Sequence, residues 1–104
     1  MTKFTAKSTE YEYAGLSFTI PKNYIYFVGI YASWVNSKPV GFVINNSDSE
    51  FSNSTVLFKY EGTPTISSYI SQPREVDKTY HIWVKYEKAG ENTISVFGCS
   101  YKVK

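Results

Sequence analysis

A chain of 104 residues with a formal net charge of +2 is sized for one domain, 1–104, and for one real core; a chain of this mass buries roughly 65% of its extended surface on folding. At 42% hydrophobic and 18% aromatic it is too apolar to be disordered, and so many rings favour strands, where flat side chains pack on a pleated surface. Basic residues lie scattered among acidic ones, and Arg74 is the only arginine. No basic stripe of the kind nucleic acid requires is present.

Helical periodicity is absent, and short runs rich in Val, Ile, Thr, Tyr and Phe recur between turn clusters. The predicted strands are 3–13, 16–20, 24–35, 40–46, 55–60, 65–70, 78–86 and 93–102. The first segment, "MTKFTAKSTEYEY", lacks a continuous apolar stretch and is not read as a signal peptide. In 24–35, "YIYFVGIYASWV", alternation puts Tyr24, Tyr26, Val28, Ile30, Ala32 and Trp34 on one face. The other face carries Ile25, Phe27, Gly29, Tyr31, Ser33 and Val35. Both faces are apolar near the start, which predicts a central strand covered on both sides, with Gly29 marking a bulge or a close backbone approach. No apolar run reaches the ~20 residues that span a bilayer, so no membrane insertion is expected.

The connections read as turns or loops: "PKN" at 21–23, "NSKPVG" at 36–41, the polar loop 45–54, "YEGTP" at 60–64 and "SQPREVDK" at 71–78. "YEKAGENT" at 86–93 reads as a hairpin in which Gly90 takes positive φ. Before it, Tyr80, Ile82, Val84 and Tyr86 share one face, with His81, Trp83 and Lys85 on the other. About eight strands at this spacing predict an all-β fold, a single antiparallel β-sandwich with jelly-roll-like connectivity.

The inventory for catalysis is thin. His81 and Cys99 are the only residues of their types, and no nucleophile, phosphate-loop, dinucleotide or zinc-protease motif is present. An enzyme is therefore not expected, nor a cofactor or a metal site. Cys99 is without an intrachain partner and reads as a buried, inert thiol. Glu10 and Glu12 read as solvated edge charges, because paired glycosidase acids need a cleft. "NNSDSE" (45–50) offers oxygen ligands but lacks the glycine and spacing of a calcium loop, so it reads as a plain polar loop. The two sequons, at Asn45 and Asn53, read as chance.

Rings that stack on sugars and amides that bind hydroxyls make saccharide binding the best-supported activity. Trp34, at a strand end beside a turn, leads the candidates, followed by Tyr31, Asn36, Tyr69, Trp83 and Tyr60. Each ring has a competing role in the core or in a subunit interface, since aromatics also concentrate there. A closed homo-oligomer would cover the second face of 24–35.

The stretches "LSFTIPKNYIYFVGIYASWVNSKPVGFVI" and "TYHIWVKYEKAGENTISVFG" resemble the small β-sandwich domains of tail-fibre and other minor structural proteins of bacteriophages. That resemblance spans most of 16–100 and carries no site residue with it. It implies a non-enzymatic virion module, often trimeric, that adsorbs to a host surface glycan or protein. Two alternatives are a purely structural or decoration subunit and a bacterial surface carbohydrate-binding module.

Overall fold

The computed structural model describes residues 2–32, 37–52, 54–62, 66–70, 73 and 75–102. Eight strands lie among them: β1 (Thr2–Ala6), β2 (Glu12–Ile20), β3 (Tyr24–Ala32), β4 (Pro39–Asn45), β5 (Val56–Glu61), β6 (Ile66–Ile70), β7 (Lys78–Tyr86) and β8 (Gly90–Lys102). They form two four-stranded sheets, in the order β1-β8-β3-β6 and β2-β7-β4-β5, with every pairing antiparallel. Only β4 and β5 are consecutive strands that also pair; each of the other connections passes from one sheet to the other. Four strands per sheet interleaved in this way constitute the jelly roll, the all-β antiparallel sandwich that the spacing predicted.

The ends of the elements differ from expectation in instructive ways. Residues 3–13 are not one strand. The chain leaves β1 after Ala6 and turns through 7–11, where the Glu12 carboxylate accepts hydrogen bonds from the Lys7 and Ser8 amides at 3.0 and 3.3 Å. The gap expected at Ala14–Gly15 is instead a bulge inside β2: the register with β7 shifts between Tyr13 and Leu16, and Gly15 sits at φ 77°. A glycine adopts that φ without penalty, so the strand continues through the irregularity. Gly29 marks no bulge, since β3 keeps an unbroken register with β6 and β8 across it.

The segment 86–93 is the clearest correction. It is not a hairpin, because β7 pairs with β2 and β4 while β8 pairs with β1 and β3. Gly90 has the expected positive φ, 140°, but it serves an arch between sheets. β8 also begins at Gly90 rather than at 93, because β1 extends the ladder, pairing Ala6 with Gly90 and Thr5 with Glu91. Turn chemistry fixes local geometry, whereas the partner strand is chosen by distant sequence. For 24–35, the described strand ends at Ala32, and 33–36 lie outside the described residues.

The core lies between the sheets. Phe18, Ile20, Val28, Ile30, Phe42, Ile44, Ile82, Val84, Tyr86 and Ile94 are buried in it. The face with Tyr80, Ile82, Val84 and Tyr86 points inward, as its alternation predicts. Three aromatic pairs bridge the sheets and account for part of the ring excess: Phe18–Tyr26 at 5.3 Å, Phe58–Tyr69 at 5.1 Å and Phe4–Tyr86 at 6.2 Å. Each adds roughly 0.5–1.5 kcal/mol beyond its area term.

Tyr86 shows how burial can act against the fold. The residue is 1% exposed, and its buried hydroxyl has no hydrogen-bond partner among the described residues. Burial pushes this phenol from 10.0 up to about 12. A raised folded-state pKa means that its stability contribution is intact below pH 10 and is lost as pH climbs toward 12. The loss amounts to about 3 kcal/mol when fully developed. Tyr86→Phe should therefore flatten that alkaline decline. At pH 7 it should leave stability unchanged or raise it by up to about 1 kcal/mol, because a wasted desolvation is removed. Urea melts of both proteins between pH 7 and 11 check this; a Phe variant destabilised at neutral pH would reveal a bond made by the hydroxyl.

Candidate ligand-binding site

The described candidates, Tyr31, Tyr60, Tyr69 and Trp83, are dispersed over the sandwich. Tyr31 lies on the outer face of β3, opposite Ile66 of β6 and Ser95 of β8 in the register. Tyr69 packs inward against Phe58. Tyr60, 45% exposed, stands near the end of β5. Trp34 and Asn36 lie outside the described residues.

Trp83 belongs to a second apolar cluster, on the outside of the β2-β7-β4-β5 sheet. The residue is 8% exposed because the β4–β5 loop folds over it. Phe51 of that loop lies tilted 5.4 Å from the indole and stacks on Tyr11 at 5.1 Å, and Tyr13 lies 6.0 Å from the indole. The indole N–H donates to the Ser47 carbonyl at 2.8 Å. Beside it, Val43 of β4 is fully buried, so this strand is covered on both faces. Phe51 is the lone ring in the polar run "NNSDSEFSNS", and that is the sequence signal for a loop folded onto the sheet.

Charged groups close the edge of this cluster. The Lys59 and Lys85 ammonium groups lie 5.4 and 5.7 Å from the Tyr11 ring centroid. The Tyr11 hydroxyl rests against Gly41, where any Cβ would displace it. Burial, and then the Glu61 carboxylate, push the Tyr11 phenol up, opposed by Lys59. Lys59 and Glu61 pair at 2.9 Å; their hydrogen bond raises the ammonium pKa and lowers the carboxyl pKa.

The loop is held by its own amides. The Asn45 side chain, fully buried, donates to the carbonyls of Ser47 and Glu50 at 3.1 and 2.8 Å. The Ser47 hydroxyl accepts from the Ser49 and Glu50 amides at 3.2 and 3.0 Å. The 45–50 segment is thus closed by protein hydrogen bonds, and the sequon amide of Asn45 points into the fold.

Where that loop re-enters the sheet, it forms a cleft of about 490 Å³. The cleft lies beyond the end of β4, between the starts of β5 and β7. Asn46, Ser54, Thr55, Lys78 and Thr79 supply a rim of amide, hydroxyl and ammonium groups, and Val56, Leu57 and Tyr80 supply an apolar wall. The rim is braced. Asn46 donates its backbone N–H to the Thr55 carbonyl at 3.0 Å, and the Thr55 hydroxyl donates to the Ser52 carbonyl at 2.9 Å. Thr79 and Thr19 hydroxyls meet at 2.9 Å across the β2–β7 pair. A hydroxyl engaged once retains further capacity for a ligand. The volume falls within the roughly 300–1,000 Å³ of small-molecule sites, and an apolar wall with a few converging polar groups is their usual construction.

Sequence reasoning missed this cleft. Its residues come from 46, 54–57 and 78–80, which meet only because β4 lies between β5 and β7. The only local signal was the density of Asn, Ser and Thr around 45–55.

Fold and cleft together define an eight-stranded jelly-roll sandwich with a polar-rimmed cleft at one end of a sheet. No protein-family model, curated protein or solved structure matches this chain.

Proposed function

We propose that the protein is a non-enzymatic virion module, of the tail-fibre type that its sequence resembles, which binds a saccharide of the host surface in the cleft beyond β4. The observation that carries this reading is the composition of the cleft: hydroxyl, amide and ammonium groups on a braced rim over the wall formed by Val56, Leu57 and Tyr80. Sugars present the same mixture, a ring of hydroxyls around apolar C–H faces. Among the described residues, the cleft lining holds neither a carboxylate nor an imidazole, which favours binding over turnover in this reading. Jelly rolls recur as viral and lectin domains, which agrees with the reading at the level of fold alone.

A printed array of bacterial and animal glycans tests it. The native protein should bind a restricted subset. Asn46→Ala and Lys78→Ala should each weaken binding tenfold or more, the equivalent of one good hydrogen bond at about 1.4 kcal/mol per decade. Val76→Lys, on the exposed β6–β7 loop, should change nothing. Binding indifferent to both rim substitutions would place the ligand elsewhere, and silence across the array would remove the saccharide reading.

A further inference from the structure

We infer that the outer face of the β1-β8-β3-β6 sheet is a self-association surface that pairs two copies of this chain. The two sheets treat their outer faces differently. The outer face of the β2-β7-β4-β5 sheet carries Lys59, Glu61 and Lys85, and it is covered in part by its own β4–β5 loop. On the opposite sheet, β3, β6 and the Asn92–Tyr101 part of β8 contain no Asp, Glu, Lys, Arg or His. Ile25, Phe27 and Tyr31 of β3 alternate with the core-facing Tyr26, Val28 and Ile30 and are only partly buried. Ile70, opposite Phe27 in the register, is 60% exposed. Charge returns at the far edge, where Lys3 and Glu91 pair at 3.9 Å with both side chains in solvent. An uncharged centre with an ionic rim is the usual layout of a protein–protein interface.

The charge distribution selects a second copy as the occupant. Two copies of a chain with net charge +2 repel, and a two-fold axis brings each charge near its own duplicate. A face whose central strands lack charge is where identical chains approach without that penalty. A face packed on its own duplicate is isologous and closes at two, unlike the trimer implied by the resemblance. The area sets the strength. Strands of 5, 13, 9 and 5 residues, at about 3.3 Å per residue and about 4.8 Å apart, offer roughly 500 Å² in plan per copy. About 1,000 Å² in total lies below the standard size of stable interfaces, which predicts a weak, reversible dimer with Kd on the order of tens to hundreds of micromolar. This inference is independent of the cleft, which lies on the other sheet.

Sedimentation velocity from about 5 to 500 µM tests it. The native chain should pass from monomer to dimer over that range. Ile70→Lys and Ile25→Lys should each weaken dimerisation tenfold or more, and Val76→Lys should not. Ile70 is largely in solvent, so its lysine variant should melt like the native protein and decide the matter alone if the Ile25 variant misfolds. A monomer throughout, a trimer, or a dimer indifferent to Ile70→Lys would each overturn the inference.

Discussion

Trp83→Ala should lower the unfolding free energy by about 3–5 kcal/mol, a large share of what a domain of this size possesses. The residue is 8% exposed, and its ring holds Phe51 and Tyr13 on the outside of the sheet. Truncation opens a cavity under the β4–β5 loop and removes one of the two hydrogen bonds that the Ser47 carbonyl accepts, leaving the one from Asn45. The effect should extend further, because that loop carries Asn46 and Ser54 into the cleft. Loosening it should weaken ligand binding through a ring that touches no ligand. Trp83→Phe separates the two roles: it keeps most ring packing and gives up the hydrogen bond, at about 1 kcal/mol. Urea unfolding followed by circular dichroism checks both variants; a loss below about 1 kcal/mol for the alanine protein would mean that the loop does not depend on this ring.

Phe42→Ala is the corresponding experiment on the inner face of the same sheet. Phe42 is fully buried on β4, opposite Tyr60 of β5 and Val84 of β7. Its removal should also cost about 3–5 kcal/mol, while Phe42→Leu should cost less because most of the volume is kept. The pair of experiments addresses the two-sided burial of β4. If the strand were covered on one side only, Phe42→Ala would be severe and Trp83→Ala mild. Comparable costs are the signature of a strand sandwiched between the main core and the outer aromatic cluster. The midpoint of urea unfolding gives both values if the slope stays constant.

Much of this fold was legible in the chain because side-chain alternation is a local signal. Tyr80, Ile82, Val84 and Tyr86 declare their inward face by spacing alone, and they are buried. Pairing partners are not local. The 86–93 segment has the composition of a hairpin, yet it arches between sheets because β1 and β3 claim β8. Gly15 falls in the gap between the predicted strands 3–13 and 16–20, yet it lies inside β2, where the bulge uses its positive φ. Trp83 alternates outward correctly and is nevertheless buried, because a loop some thirty residues earlier folds over it. The cleft was the least legible feature, assembled from three separate segments whose residues carry no motif.

Those contrasts bear on function. The described candidate rings, Tyr31, Tyr60, Tyr69 and Trp83, are spread over both sheets rather than gathered at one place. The polar groups that converge are modest ones: Asn46, Ser54, Thr55, Lys78 and Thr79. On the proposed saccharide reading, recognition would depend on the bracing of the rim more than on any single ring and would link the stability of the β4–β5 loop to affinity.

The most direct measurement is a nitrogen–proton correlation spectrum of the native protein, titrated with the strongest glycan from the array. Amide shifts confined to 46, 54–57 and 78–80 are the predicted result. Shifts centred on the outer face of β3 and β6, or on no contiguous part of the surface, would contradict a saccharide site beyond β4.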